Sequence, residues 1–239
     1  WPPGLRQEGG LEPAGFPGAG RAGENPRAMT AVKKKNAPRT SAAAETTKLS
    51  RDDWLDAAFQ AVVEGGFDQV RVLVLAHTLG VTRGSFYWHF VDHAELVSAL
   101  LERWHARETG LARALEHPAD PDPRRDLEQL LEAALSHGGD NLENMRFELA
   151  LRGLGRRDPN VARMLLEVDD LRLRVFEGKF LRLTGDARVA SDLASLFYLA
   201  IVGSNQALSR PTNPPQTKDY LKGLITQYLI HRPGAVPTS

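Results

Sequence analysis

The chain of 239 residues contains no cysteine, so it has no disulfide, no thiolate nucleophile and no zinc site with sulfur ligands. It also lacks a run of about 18 consecutive apolar residues, the length that a membrane-spanning helix needs, and its N-terminus lacks the apolar core of a secretion signal. We therefore expect a cytoplasmic protein with no membrane partner. Hydrophobic residues make up 42% and charged residues 25% of the chain, which is typical of a globular protein.

The net charge of zero gives no general reason to expect a nucleic-acid partner, but the charge is unevenly distributed. Residues 1–49 carry eight Lys or Arg and four Asp or Glu, whereas residues 50–95 carry three and seven. Within this acidic segment, residues 70–91 hold Arg71 and Arg83 and no acid. The surface of residues 70–91 can therefore be positive although the segment around it is acidic.

The two ends of the chain, residues 1–47 and 233–239, are predicted to be disordered. Residues 1–28 contain five Pro, seven Gly and few large apolar residues. Because a more conventional composition begins at Met29, we expect residues 1–28 to be an over-extended reading of the start site. The Lys and Arg residues that follow form a basic arm, which is either a solvated tail or a segment that contacts phosphates.

Apolar residues at helical spacing predict an all-α protein, with a small head at residues 48–108 and a helical body at residues 109–232. Ser50 with Asp53 is typical of a helix start, and Asp92 with Glu95 of a capping box. In the head and its continuation, helices are predicted at about 51–65, 72–79, 82–89 and 92–118. In the body, they are predicted at about 122–137, 141–155, 159–184, 186–209 and 217–231.

The most specific pattern is RVLVLAHTLGVTRGSFYWHFVDHAEL, at residues 71–96. Gly80 can take a positive φ, so the chain can turn sharply between two short helices. These helices are predicted to pack through Leu75, Ala76, Leu79, Val81, Phe86 and Phe90. That packing leaves the opposite side of the third helix free, and an α-helix fits the major groove of DNA.

The segment resembles the helix-turn-helix of the tetracycline-repressor (TetR) family. The resemblance rests on Leu75-Ala76, Leu79-Gly80-Val81-Thr82, Gly84-Ser85-Phe86-Tyr87, His89-Phe90 and Glu95-Leu96 in register, and it covers about residues 48–108. It implies a ligand-responsive transcriptional regulator, most often a repressor, that binds a palindromic operator in double-stranded DNA as a homodimer. It implies neither a cofactor nor enzymatic activity.

The residues predicted to contact DNA are Arg71, Thr82, Arg83, Gly84, Ser85, Tyr87, Trp88, His89 and His93. Arg83 is the predicted base reader, because its planar guanidinium matches the O6 and N7 atoms of guanine. Ser85 is a weaker second reader. Gly84 is costly inside a helix, by about 1 kcal/mol relative to alanine, and a close approach of the DNA would explain it.

The resemblance assigns phosphate contacts to Thr82, Tyr87 and His89, and an apolar contact at the groove wall to Trp88. The sequence departs from the family at two positions. Arg71 stands where Thr or Ser often caps the second helix, so a cap is lost while a phosphate contact is gained. His93 stands where a Lys usually binds phosphate, which exchanges a full charge for a mostly neutral imidazole.

Two other readings of the head are weaker. Ser85, His89 and Asp92 could suggest a hydrolase triad, but the strained nucleophile turn and the oxyanion hole of such enzymes are not visible. His77, His89 and His93 have no acidic partner close in sequence, so they are predicted as surface or DNA-facing residues rather than metal ligands. The alternative that stays open is a helical protein-interaction module without specific DNA binding, which the acidic head favours.

Homodimerisation is predicted through the helices at about 186–209 and 217–231, because one recognition helix reads too few base pairs. The candidate interface combines small residues on the first helix with an apolar stripe on the second: Ala187, Ala190, Ala194, Ala200, Gly203 and Ala207, with Leu221, Leu224, Ile225, Tyr228 and Leu229. Packing inside the chain's own core is the alternative role of these residues.

The resemblance further implies that an unknown small molecule enters the body and shifts the fourth helix. The residues predicted to line an apolar cavity for it are Trp104, His105, Met145, Phe147, Met164, Phe176 and Phe180. Core packing is the alternative for each of them. We find no cluster of charges in the sequence that points to a particular ligand.

Overall fold

The computed structural model describes residues 49–135, 140–209 and 216–231, and within these ranges it contains helices and no β-strand. The helices are α1 (Arg51–Gly65), α2 (Val72–Thr78), α3 (Arg83–Phe86), α4 (His93–Leu115), α5 (Pro123–Ala134), α6 (Asp140–Gly155), α7 (Pro159–Thr184), α8 (Ala187–Leu208) and α9 (Thr217–Ile225), which continues as a wider turn at Thr226–Ile230. The all-α class is confirmed. The ends predicted to be disordered lie outside the described residues.

The helix starts follow from local chemistry. Ser50 and Asp53 form a reciprocal capping box: Ser50 Oγ accepts from the Asp53 amide at 3.2 Å, and Asp53 accepts from the Ser50 amide at 2.6 Å. In the body, Asp122, Asp158 and Asp186 cap α5, α7 and α8 through amides of the first turn. These bonds satisfy N–H groups that have no partner within the helix, and they therefore fix where each helix begins. The predicted helix starts agree with the observed ones to within two residues.

The predicted capping box at α4 is only half formed. Asp92 accepts from the Glu95 amide at 2.8 Å, as expected. The Glu95 carboxylate, however, accepts from the amide of Val91 rather than from that of Asp92, at 2.7 Å. Its other oxygen is held at 2.9 Å by Arg51 of α1, so the side chain points toward that helix.

The third helix is shorter than predicted, because it ends at Phe86 instead of His89. The amides of Tyr87 and Trp88 donate to carbonyls three residues back, at 3.3 Å, which tightens the chain into a turn. Thr82 has the backbone of a helix cap, but its side chain makes no capping hydrogen bond.

Two hydrophobic clusters fill the interior. The first joins α1–α4 to α6 and the start of α7, with Trp54, Phe86 and Phe147 fully buried. The second joins α5, α7, α8 and α9, and α4 contributes Trp104 to the first cluster and Ala112 to the second. The first cluster thus extends across the predicted head–body boundary at residue 108, which itself stays a prediction.

Charged side chains also hold the body together. Asp126 of α5 is 1% exposed and accepts from Lys179 Nζ at 2.9 and 3.0 Å, from Arg182 at 2.7 Å and from the amide of Ala119 at 2.9 Å. Glu132 of α5 binds Lys218 and Lys222 and so fixes α9 against α5.

Among the described residues, α8 is the one helix long and apolar enough to cross a membrane by length and composition. Its Leu193, Ala194 and Phe197 are buried in the second cluster together with Phe176 and Phe180 of α7. Edge-to-face contacts join Phe197 to Phe176 and to Phe180, at 5.3 and 5.5 Å between ring centroids. One side of α8 is thus packed in the core, while Leu196 and Leu199 of the same helix are exposed.

Candidate DNA-binding site and body cavity

The helix-turn-helix is held by a small aromatic core. Phe86 contacts Trp54 of α1 edge to face and stacks on Phe90, with ring centroids 5.3 and 5.4 Å apart. Leu75 and Ala76 of α2 are buried in the same cluster. Gly80 has φ of 69°, and the amide of the next residue, Val81, donates to Ala76 at 2.9 Å, which closes the turn. The predicted packing of the two short helices is confirmed.

The face of α3 opposite this core is open to solvent. Trp88 is 86% and Tyr87 52% exposed. Of the other predicted contact residues, Arg71, Thr82, Arg83, Gly84 and His93 are exposed, and Ser85 and His89 are half-buried. Seven of the nine are therefore exposed and two are half-buried, and their contacts with DNA remain a prediction.

Arg83 and Tyr87 pair along this surface. An Arg83 guanidinium nitrogen donates to the Tyr87 hydroxyl at 3.0 Å, and the guanidinium carbon lies 5.8 Å from the ring centroid. The pair restrains the arginine while its remaining N–H groups stay able to donate. At Gly84, an added Cβ would meet only Thr82 Oγ1, at 3.7 Å, so the fold leaves space for a side chain there. A requirement for glycine would come from a neighbour outside the chain.

The two positions that depart from the family pattern both support the loop before α2. Arg71 occupies the cap position of α2 without a side-chain cap and donates through Nε to the carbonyl of Asp68 at 2.9 Å. His93 Nε2 lies 2.6 Å from the carbonyl of Val70. A carbonyl only accepts hydrogen bonds, so Nε2 carries the proton of this one, and a phosphate contact through Nδ1 would need a second proton on the ring.

Arg51 is a positioning residue that sequence reasoning missed. It donates to the carbonyl of His89 at 2.6 Å and to Glu95 at 2.9 Å, and its guanidinium lies 4.1 Å from the centroid of Phe90. Hydrogen bonds from the Val91 amide and from Arg51 hold the pKa of Glu95 below its usual value. Arg51 thus fixes the turn that follows α3, and because its partners are 38 and 44 residues away, spacing gives no signal for it.

A cavity of about 300 Å³ lies in the body between α4, α5, α6, α7 and α8. Most of its wall is apolar. The lining residues are Glu108, Leu111, Ala112, Leu115, Leu130, Ala133, Ala134, Glu148, Arg172, Val175, Phe176, Tyr198, Ile201, Val202 and Asn205.

The structure does not bring the seven predicted cavity residues together. Phe176 lines this cavity, whereas Trp104 and Phe147 line a separate cleft next to Phe59. Met145 borders a small pocket beside Glu148, Met164 packs against the first cluster, and Phe180 is fully buried in the second. His105 lies 3.4 Å from Glu167. These six side chains are on other faces of the helices, which an apolar residue type alone does not reveal.

An ionic cluster forms the polar end of the cavity. Arg172 of α7 binds Glu108 of α4 at 2.7 Å and both oxygens of Glu148 of α6 at 2.9 and 2.8 Å. Arg152 of α6 binds Glu148 and Asp169, each at 2.7 Å. Burial disfavours the charged carboxylate, but Arg172 and Arg152 outweigh it and lower the pKa of Glu148 to about 2.

Tyr198 of α8 joins this cluster through its hydroxyl, which accepts from Arg152 at 2.9 Å. Burial and a hydrogen bond to Asp169 raise the pKa of Tyr198 to about 12. It is therefore a neutral phenol at physiological pH.

The exposed apolar face of the last two helices differs from the predicted interface. Ala190, Ala194 and Ile225 are buried in the chain's own core. The exposed side chains are 37–66% accessible: Leu196, Leu199, Tyr220, Leu224 and Tyr228. Of the other predicted small residues, Ala200 and Ala207 are half-buried, and Ala187 and Gly203 are exposed. Among the small residues, the prediction was therefore wrong for Ala190 and Ala194 alone, and the interface itself stays a prediction. The five exposed side chains are called the α8–α9 face below.

Comparison with known proteins identifies the head. Residues 55–100 match the family model of bacterial regulatory proteins, tetR family. The HTH-type transcriptional regulator TtgR of Pseudomonas putida is 39% identical over 87 residues, which are 36% of this chain and 41% of TtgR. The chain thus matches about two fifths of the length of this relative.

Solved structures extend the likeness of fold to the body. A transcriptional regulator from Rhodococcus sp. Rha1 superposes with a TM-score of 0.64 at 18% identity, covering 79% of this chain and 100% of that one. SmeT, the repressor of the Stenotrophomonas maltophilia multidrug efflux pump SmeDEF, gives 0.54 at 20% identity, covering 80% and 96%. The head therefore matches the tetR family of bacterial regulatory proteins over residues 55–100, and the chain as a whole is similar in fold to these solved regulators.

Proposed function

We propose that the protein is a cytoplasmic transcriptional repressor that binds a palindromic DNA operator as a homodimer and releases it when a small molecule binds the body. The observation that carries the proposal is the open face of α3, presented by the aromatic core and by Arg51. SmeT, a repressor, and TtgR, a transcriptional regulator, support the same reading. We assign no catalytic residue and no cofactor.

The acidity of the head is compatible with this role because several of its acids are already engaged. Asp53 and Asp92 cap helix N-termini, where the helix dipole favours negative charge. Asp56 pairs with Arg103, and Glu95 with Arg51. The alternative of a protein-interaction module without specific DNA binding is not favoured, since residues 55–100 match the tetR family model and TtgR is a transcriptional regulator.

Selection of bound fragments from random DNA tests the proposal. We expect an inverted repeat, and Arg83→Ala should relax one position in each half-site at a cost of about 1–3 kcal/mol. Arg83→Lys keeps the charge but loses the planar fork, so it should relax the same position while retaining more affinity. Arg113→Ala, at the far end of α4, is the matched control. An unchanged consensus for both Arg83 variants would refute the base-reading role.

The α8–α9 face is the proposed dimer interface. Leu199→Asp, at a side chain 64% exposed, should weaken dimerisation by about 2 kcal/mol or more, because it places a charge in an apolar contact. Sedimentation equilibrium measures the change. Leu166→Asp, on α7 and 62% exposed, should leave the dimer intact. Equal dissociation of the two variants would argue against this interface.

The cavity is the proposed effector site, since α4 links it to the head. Leu111, Ala112 and Leu115 of α4 line the cavity, while Leu96 and Leu100 of the same helix are buried with the helix-turn-helix. A ligand that prefers one position of α4 would therefore change the position of the head.

A further inference from the structure

The polar end of the cavity is richer in hydrogen-bond acceptors than in donors. Glu108, Glu148 and Arg172 line it, so two carboxylates face one guanidinium. The same Arg172 nitrogen donates to Glu108 Oε2 at 2.7 Å and to Glu148 Oε2 at 2.8 Å. Each carboxylate oxygen can accept two hydrogen bonds, so these two neighbouring oxygens retain acceptor capacity.

Asn205 adds a third acceptor at the cavity wall. Its Oδ1 is buried, and no donor for it occurs in the part of the chain that the structure describes. A buried carbonyl without a donor is costly, by about 1–3 kcal/mol. If the Asn205 side chain turns toward a ligand and accepts a hydrogen bond from its N–H group, that cost is removed.

The same geometry disfavours an anionic ligand. Arg172 lies beside Glu108 and Glu148, and Asp169 is a third carboxylate at 3.9 Å. Arg107 binds Glu108, and Arg152 binds Glu148 and Asp169, but Arg107, Arg152 and Asp169 do not line the cavity. The lining itself presents two carboxylates and one guanidinium, so an added cation meets more opposite charge there than an added anion does. Because Glu148 is held ionised by its arginine partners, the negative charge is present throughout the physiological pH range.

We propose that the effector is an apolar molecule that carries a protonated amine, with its apolar part between α4, α5 and α8 and its ammonium at Glu108 and Glu148. This proposal rests on the proposed function in taking the cavity as the effector site. The ammonium competes with Arg172 for Glu108, which is 5% exposed and is the α4 member of the cluster. Binding thereby weakens the bond between α4 and α7.

Binding of three matched probes to the full-length wild-type protein is the first test. Phenylbutylamine, phenylbutanol and phenylbutyrate share an apolar part and differ in the charge of the end group. Calorimetry should give an affinity for the amine about tenfold above that for the alcohol, with the carboxylate weakest. Equal affinities, tightest binding of the carboxylate, or no binding of the amine at millimolar concentration would each overturn the proposal.

Variants locate the amine. Glu148→Gln and Glu108→Gln should each reduce the affinity for phenylbutylamine about tenfold while leaving phenylbutanol nearly unchanged. Glu116→Gln, an exposed residue that caps the end of α4, is the matched control. Ala112→Phe should abolish binding of all probes by filling the cavity, and retained binding would place the site elsewhere. Thermal unfolding of each variant shows whether it folds. If a variant does not fold, the affinities of the three probes for the wild-type protein decide the question.

DNA binding is measured separately by gel shift with the selected operator. Loss of amine selectivity with intact operator binding would reject this inference alone. Selective amine binding without any operator binding would reject the proposed function and retain the ligand class.

Discussion

Asp126→Ala is expected to lower the free energy of unfolding by about 3–5 kcal/mol, because it leaves the buried ammonium of Lys179 without a counter-charge. Lys179 is 4% exposed, and both oxygens of Asp126 lie within 3.0 Å of its Nζ. For a domain of this size, the loss corresponds to a melting temperature lower by about 10 °C. Thermal unfolding followed by circular dichroism, at fixed protein concentration, measures it.

Lys179→Met is the comparison variant. It should cost less, because Asp126 keeps its bonds to Arg182 and to the amide of Ala119. The double variant Asp126→Asn with Lys179→Met should be more stable than Asp126→Ala, since no unpaired buried charge remains. If the losses in unfolding free energy at Asp126 and Lys179 simply add, the two side chains do not stabilise each other as proposed.

Trp54→Ala should destabilise the protein by about 3–5 kcal/mol, because it opens a cavity beneath α3. It should also abolish operator binding, because α3 then loses its support. Trp54 of α1 is 0% exposed and contacts the ring of Phe86 in α3. Denaturant unfolding and a gel shift measure the two effects.

Trp88→Ala removes the same indole from a position that is 86% exposed, so it should leave stability within about 0.5 kcal/mol of wild type. Trp54→Phe should cost less than Trp54→Ala, because the phenylalanine ring fills part of the space that alanine leaves empty. Equal stability of Trp54→Ala and Trp88→Ala would show that Trp54 does not support the head.

Features set by neighbouring residues were predictable from the sequence. The capping box of Ser50 and Asp53, the turn at Gly80 and the aromatic pair of Phe86 and Phe90 depend on residues within a few positions of one another. One exception is the length of α3, because helical spacing alone does not distinguish an α-helix from the tighter turn at residues 87–89. The other is the capping box at α4, where the Glu95 carboxylate binds the Val91 amide and Arg51 instead of the Asp92 amide.

Features set by tertiary contacts were not predictable. Arg172 meets Glu108 across 64 positions, and no periodicity of a single helix indicates that pairing. Alanines on α8 suggested a surface between subunits, yet Ala194 is fully buried in the chain's own core. Small residues allow close approach in both settings, so their presence does not tell which neighbour they meet.

Helix α4 contributes to both hydrophobic clusters, and this constrains its length as well as its sequence. Helix α4 runs unbroken for 23 residues, about 35 Å, from His93 beside the helix-turn-helix to Leu115 at the cavity. Each residue added to or removed from its middle would rotate one end against the other by about 100° and shift it by about 1.5 Å. Substitutions along α4 should therefore be tolerated during evolution far more readily than insertions or deletions between the helix-turn-helix and the cavity.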